Sequence, residues 1–255
     1  MDYSHLTREM TWSFSRITAF QSCPYSFYLK YIALADSQKQ FFSSYGKLIH
    51  SILEKYLSGK LAKHELPLYY LSHFFTEVPK DAPSQKIYWD YFNDAQKHAL
   101  LVSFSNLIVQ KIEYKMSFSL EGYPFVGFAD LIARNQENQL VLMDHKSKIL
   151  TQSKRSGKPS KDAQQILRQL YLYSAPIQNE FGQLPDVLSI NCYRANQILN
   201  YPFDHQEFEN TKEWALQSIE EIHSNRDWQP KIQPFKCRYI CDVNHHCDYY
   251  QLYKG

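Results

Sequence analysis

Asp144, His145 and Lys146 follow directly on the apolar run Val141, Leu142, Met143. A carboxylate, an imidazole and an ammonium at the end of a hydrophobic strand can hold a cation and steady developing negative charge. Side chains alternate faces along a strand, so Leu140, Leu142, Asp144 and Lys146 share one face, while Val141, Met143 and His145 take the other. By the same alternation the preceding run "PFVGFADLIAR" puts Val126, Phe128, Asp130 and Ile132 on one face. If the turn at "NQEN" pairs residues whose numbers sum to 274, Asp130 stands opposite Asp144, with Cβ atoms about 4.5 to 5.5 Å apart. Two carboxylates at that separation repel each other unless a cation or a proton lies between them, which points to a divalent metal site. A register shifted by one residue would undo the pairing.

A second constellation is sulfur. Cys237, Cys241 and Cys247 fall within eleven residues near the C-terminus, and Cys23 lies over two hundred residues earlier in "QSCPYSFYLKY". In a reducing compartment such spacing is read for metal or reactivity before disulfides. Zinc is one occupant, with His245 and His246 beside Cys247 as nitrogen ligands. Cys192, in "SINCYRA", reads as a small buried hydrophobe. The third feature is a basic run without acids from His145 to Lys161, containing Lys146, Lys148, Lys154, Arg155, Lys158 and Lys161. It could follow a phosphate backbone, and it reads almost as well as a solvated loop. Taken singly, a charged strand end or a histidine beside an apolar helix stripe is ordinarily structural.

The elements that must position these residues follow from periodicity. "SFSRITAFQSCPYSFYLKYI" predicts short helices entered at a serine cap and interrupted near Pro24. "SSYGKLIHSILEKYL" sets Leu48, Ile49, Ile52, Leu53, Tyr56 and Leu57 at helical intervals, with His50 just off the stripe. Residues 60–84 show no clear period, and 85–115, free of proline, predicts a long helix, broken once at most. From Met116 a meander of about three strands is expected, then a polar loop over 149–162, a helix in "AQQILRQLYLYSAPI", a strand in "DVLSINCYRA" and a helix over about 206–225. The last thirty residues have no clean period. This order predicts an α/β fold with a mixed central sheet flanked by helices.

Composition narrows the classes. The 255 residues are 44% hydrophobic, enough for one core with appendages, and the formal charge of +2 does not by itself announce a nucleic-acid partner. No signal-like N-terminus and no membrane-length apolar window occurs, so an intracellular, cytoplasmic protein is expected. Most of the 20 Tyr and 16 Phe must pack in cores, though aromatics in "FYLKY" and Tyr171 or Tyr173 could stack on bases.

The ordered set "GKLIH", "GFAD", "MDHKSK" and "QLYLY", framed by "QSCPYSFYLKY" and "CRYICDVNHHC", resembles the PD-(D/E)XK nuclease superfamily. Within it the chain is most similar to the RecB-type exonucleases, including the AddB subunit and the four-cysteine CRISPR-associated nucleases. The resemblance implies a restriction-endonuclease-like core over about 44–226 in a single domain, 1–255. It implies that His50, Asp130 and Asp144 bind Mg²⁺ or Mn²⁺ together with the backbone carbonyl of His145. Lys146 matches the catalytic lysine, Glu113 an acid that commonly precedes the meander, and Gln169 and Tyr173 a Gln-x-x-x-Tyr motif that contacts DNA. Cys23, Cys237, Cys241 and Cys247 would hold a [4Fe-4S] cluster joining about 14–31 to 228–255, with Zn²⁺ as the alternative. One residue more than usual separates Cys237 from Cys241. The implied activity is a metal-dependent DNase acting on single strands or DNA ends, in repair, recombination, mobile-element or CRISPR processing. A catalytically silent DNA-binding or assembly subunit and a site-specific or structure-specific endonuclease are the other readings. No Gly-x-x-x-x-Gly-Lys-Ser/Thr occurs, so unwinding would need a helicase or recombination partner.

Overall fold

Five strands form one sheet in the order β1-β2-β3-β4-β5 in the computed structural model, which describes residues 4–99, 104–150 and 159–253. They are β1 (Ile108–Leu120), β2 (Tyr123–Arg134), β3 (Leu140–Lys146), β4 (Val187–Cys192) and β5 (Gln197–Pro202). β1 and β2, β2 and β3, and β4 and β5 are antiparallel. β3 and β4 are parallel, and the crossover between them is the helix Lys161–Phe181. The sheet is therefore mixed and helix-flanked, as expected.

Two apolar clusters cover its two faces. Leu140, Leu142 and Ile132 pack with Ile17, Phe20, Leu170, Tyr173 and Ile219, on one side. Leu131, Ala133 and Met143 pack with Leu48, Ile49, Ile52, Tyr70 and Phe92, on the other. The helices of the described residues, in chain order, are α1 (Ser4–Arg8), α2 (Phe14–Ser22), α3 (Pro24–Phe27), α4 (Phe41–Leu57), α5 (Leu66–Glu77), α6 (Gln85–Asp94), α7 (Lys161–Phe181), α8 (His205–Ser224), α9 (Pro234–Tyr239) and α10 (Asp248–Tyr253). As predicted, Ser13 caps α2 by accepting from the Arg16 N–H, and the chain is re-aimed at Pro24, the first residue of α3. No helix among the described residues is long and apolar enough to cross a membrane.

Three expectations are corrected. The long helix over 85–115 stops early. α6 gives way to a π-type turn at Ala95–Ala99, and β1 begins at Ile108. Ile108, Val109, Ile112 and Tyr114 fit both periods, and the 12-residue β2 beside them decides for strand by supplying backbone partners along its whole length. β5, in "QILNYP", was not expected. It pairs along all six residues of β4 after a turn at Asn196, whose φ is 48°. The unassigned 60–84 segment contains α5, whose Leu66, Tyr70 and Phe74 are buried.

The third correction concerns the faces of β2. Phe125, Ala129 and Ile132 belong to one cluster and Leu131 and Ala133 to the other, so strict alternation breaks between 129 and 131. Val126, Phe128, Asp130 and Ile132 thus do not line a single face, and Phe128 is half exposed. The facing strand breaks in step. Tyr114 packs toward the first cluster and Ile112 toward the second, and between them Glu113 has φ 45°, in the left-handed region that L side chains rarely adopt. Pairing of Ile112 with Leu131 and of Tyr114 with Ala129 leaves Glu113 across from Asp130. Two acids therefore stand where the hairpin reverses its faces, and irregular strand backbone of this kind collects at functional sites.

Candidate active site

Asp130 illustrates how the irregularity serves the site. The β2/β3 register is the expected one, with Leu131 opposite Met143, Ile132 opposite Leu142 and Ala133 opposite Val141. The ladder ends at Leu131 and Met143, one pair before the acids. The backbone N–H of His145 donates instead to Asp130 Oδ2 at 2.6 Å, so a carboxylate takes the place of a strand partner. Asp130 is 8% exposed and Asp144 3% exposed, Asp130 inside β2 where its pairing with β3 stops and Asp144 near the C-terminal end of β3.

His50 enters from α4, which packs its Leu48, Ile49 and Ile52 face on the sheet. Its ring is fixed at both nitrogens. Nε2–H donates to the His145 carbonyl at 2.8 Å, since that oxygen can only accept. Nδ1 stands 3.5 Å from Asp130 Oδ1 and 3.6 Å from Glu113 Oε1. In a neutral ring with its proton on Nε2, the Nδ1 lone pair faces two carboxylates, which is repulsive unless a cation joins them. Without a metal that cation is a proton. Burial opposes charging His50, but the Asp130 and Glu113 carboxylates outweigh it and push its pKa up to about 10. One ligand atom from each of His50, Glu113 and Asp130 lies within 4.8 Å of the others, the grouping a small cation needs.

The two aspartates differ. Burial works against ionised Asp130, but the bond and charge of His50 prevail and lower its pKa. Asp144 is raised, because burial outweighs the Lys146 ammonium and Asp130 adds repulsion. Lys146 Nζ bonds Asp144 Oδ1 at 3.0 Å and lies 2.7 Å from Oδ2, but only the Oδ1 contact has hydrogen-bond geometry. Asp144 Oδ2 is thus a buried oxygen with no hydrogen bond, beside a second carboxylate. The Lys146 ammonium is a counter-charge in contact with this oxygen, and a buried carboxylate so placed keeps lone pairs that a cation could satisfy. The donors fit a hard cation: carboxylates, a carbonyl and one imidazole. Lys146 keeps its proton. Burial favours losing it, and the opposing attraction of Asp144 raises its pKa.

Outside this centre, an open cleft of about 420 Å³ is lined by Gly46, Lys47, His50, Ser51, Glu54 and Glu113. On the other side Tyr173 of α7 is 7% exposed. Burial pushes its hydroxyl up to about 12, the Asp144 charge adds to this, and a hydrogen bond from Gln169 opposes it. Gln169 and Tyr173 therefore meet where the charges of Asp144 and Asp130 reach them. Lys148 pairs with Asp162 at 2.8 Å, and Lys161 is exposed at the start of α7. Lys154, Arg155 and Lys158 lie outside the described residues.

The cysteines also converge. Cys23, Cys237, Cys241 and Cys247 line one cavity of about 800 Å³, and none is in a disulfide. The N–H groups of Ser26 and Lys231 each approach Cys23 Sγ at 3.4 Å. His245 and His246 do not line the cavity. They turn toward Asp36.

Three residues escaped the sequence reading. Gly127 is needed because a Cβ there would lie 2.5 Å from Tyr173 Cε1. A glycine inside a strand, in "GFAD", was its signal. Asn191 of β4 donates to His145 Nδ1 at 3.0 Å, holding that buried imidazole, whose pKa burial lowers to about 4. An asparagine in the apolar run "LSINC" was the hint. Arg194 bonds Asp94 at 2.5 Å, reaches the Ser147 carbonyl at 3.4 Å and stacks 3.5 Å from the Tyr91 ring centre, bracing the end of β3. Nothing in the sequence joined those partners.

A helix-flanked mixed sheet with an Asp, an Asp and a Lys at the open end of a central hairpin defines a class of phosphodiester-cleaving proteins. The chain belongs to the PD-(D/E)XK nuclease superfamily, whose family model matches residues 11–248. Among solved structures it is similar to the one described as "Putative exonuclease" from Eubacterium rectale, at 13% identity and TM-score 0.55 over 99% of this chain and 96% of that one. At that identity the likeness shows the fold alone. A second structure, SSO0001, aligns over 92% of this chain and 97% of its own at 16% identity, with a TM-score of 0.33 too low to carry an argument. Comparison with curated proteins gives no match.

Proposed function

We propose that this nuclease is a divalent-metal-dependent deoxyribonuclease acting on single strands or DNA ends, with residues 1–255 as one cytoplasmic domain. The observation that carries it is the grouping of one ligand atom each from His50, Glu113 and Asp130 within 4.8 Å of one another, with the buried Asp144 carboxylate close enough to feel the charges of Asp130 and His50. Asp130, Asp144, His50 and the His145 carbonyl, with Glu113 beside them, would hold Mg²⁺ or Mn²⁺. The ion supplies Lewis acidity toward a phosphodiester oxygen and favours hydroxide as nucleophile. Lys146 stays protonated on Asp144, and its partly exposed ammonium orients the attacking water and offsets charge developing on phosphorus. Asn191 holds the His145 imidazole, and Glu113 with His50 faces the open cleft through which a strand can enter. Gln169 and Tyr173 steady the strand, and the basic residues Lys148 to Lys161 follow its phosphates.

The four cysteines of the second cavity hold a [4Fe-4S] cluster in this reading. Support comes from their convergence, their lack of disulfides and the N–H donors on Cys23. The cluster would be structural, tying α2 and α3 to α9. A helicase or recombination partner would supply unwound ends.

Degradation of linear and circular DNA with Mg²⁺ or Mn²⁺ tests the activity. Loss of linear single strands by the native chain and not by Lys146→Ala is expected. Equal degradation by both, or none by either, would sink the catalytic assignment, and none by either would leave the silent-subunit reading. Discrete fragments from circular DNA would instead make it an endonuclease. Anaerobically purified protein should be coloured by thiolate-to-iron charge transfer, and a colourless zinc-loaded sample would replace iron with zinc.

A further inference from the structure

On the side of the molecule where the chain leaves the N-terminal helices, Asp36, His245 and His246 bring their ligand atoms within 4.8 Å of one another. His246 Nε2–H donates to Asp36 Oδ1 at 2.7 Å, and His245 Nε2 stands 3.6 Å from Asp36 Oδ2. The two imidazoles lie side by side, ring centres 4.0 Å apart, each aimed at a different oxygen of one carboxylate. Two imidazole nitrogens and one carboxylate are the donors of three-ligand zinc sites that leave a fourth position to water. Nitrogen-rich donors also separate this group from the oxygen-rich catalytic centre, since they favour zinc-like ions over Mg²⁺.

The arrangement is held by groups that are not themselves ligands. Gln38 N–H donates to the Asp242 carbonyl at 2.8 Å, and its side chain donates to Asn244 Oδ1 at 2.5 Å. Gln40, 2% exposed, donates to the Cys241 carbonyl at 2.6 Å, and Lys30 pairs with Asp242 at 2.5 Å. Asn244, 5% exposed, donates in turn to the Cys237 carbonyl at 2.9 Å. These bonds strap residues 38–40 along residues 241–244 and bring the exposed Asp36 beside the adjoining turn Asn244–His246.

We propose that Asp36, His245 and His246 form a second, surface metal site for Zn²⁺ or a similar transition-metal ion. It staples the segment leading into α4 to the C-terminal cysteine region. Because α4 carries His50, the staple secures the helix that completes the catalytic centre. The site is separate from the cysteine cavity, which neither histidine lines. It also does not depend on the catalytic reading.

The test uses the purified full chain with its cysteine region left intact, titrated anaerobically with Co²⁺ as a probe and then with Zn²⁺. The native chain should take up one Co²⁺ more than the double variant His245→Ala, His246→Ala and more than Asp36→Asn. The difference spectrum should show weak d–d bands without sulfur-to-cobalt charge transfer, and Zn²⁺ should abolish it. Equal uptake by native and variant chains, or thiolate bands in the difference spectrum, would overturn the site. A measurement on the native chain alone covers the case of a misfolded variant. Zn²⁺ should shield both histidines from carbethoxylation, read peptide by peptide in a mass spectrometer, and unchanged modification would equally overturn the proposal.

Discussion

Replacing Gly127 by alanine tests how α7 is seated beside the acids. The new Cβ would lie 2.5, 2.9 and 3.0 Å from Tyr173 Cε1, Cζ and Cδ1. Apolar carbons settle about 3.5 to 4.0 Å apart, so the ring must retreat by about 1 Å. Tyr173 is 7% exposed and has no free volume to move into without disturbing its neighbours. Overpacking of this kind costs about 1 to 3 kcal/mol, and a displacement of about 1 Å beside reacting groups can cost about 100-fold in rate. Urea unfolding should show a lower midpoint with an unchanged slope, and DNA degradation should fall in parallel. The decisive comparison is a double-mutant cycle. In a Tyr173→Ala background the clash is gone, and Gly127→Ala should be neutral or gain a few tenths of a kcal/mol, about what a restricted unfolded chain provides. An equal penalty in both backgrounds would refute the argument that the glycine is there for the tyrosine.

Other predictions follow from the same contacts. His50 has a folded pKa of about 10 against an ordinary 6.5. In ion-free protein its protonation therefore adds stability that is complete below pH 6.5 and is lost as pH rises toward 10. Urea midpoints should fall over that window, the fall should vanish in His50→Gln, and a bound divalent ion should flatten it by replacing the proton. Mn²⁺ affinity, read by calorimetry, should rise with pH over the same range, and a pH-independent affinity would contradict the shared proton site. Arg194→Ala strands Asp94 and unties Ser147. Denaturant unfolding should report a loss of about 2 to 3 kcal/mol, and a change below 0.5 kcal/mol would mean that the bridge does not brace β3. Cys241→Ser should bleach the visible absorbance and lower stability by up to about 5 kcal/mol, the chain-entropy value for closing a loop of over two hundred residues. A coloured, equally stable variant would show that Cys241 holds nothing.

The chemistry-bearing residues were legible because their surroundings are local. An apolar strand that stops in Asp144 and Lys146, a helix stripe with His50 beside it and a register set by the turn at "NQEN" are short-range facts, and the β2/β3 pairing agrees with them. The one-dimensional order of motifs was also enough to resemble the superfamily that the chain belongs to. What failed was the assignment of β1, because Ile108 to Lys115 satisfies both helical and strand periods and only the pairing partner chooses between them. β5 was missed for the same reason: an edge strand of mixed polarity is stabilised by its neighbour, not by its own residues.

The sequence by itself determined which residues could bind an ion and in what order they come along the chain. Tertiary structure decided how they meet. The break of alternation at Glu113 and Asp130, the His50 ring clamped between a carbonyl and two carboxylates, the Tyr173 ring over Gly127 and the joining of Cys23 to cysteines over two hundred residues away all depend on long-range packing. Periodicity reports which face a residue takes within its own element. It carries no information about which distant element will press against that face.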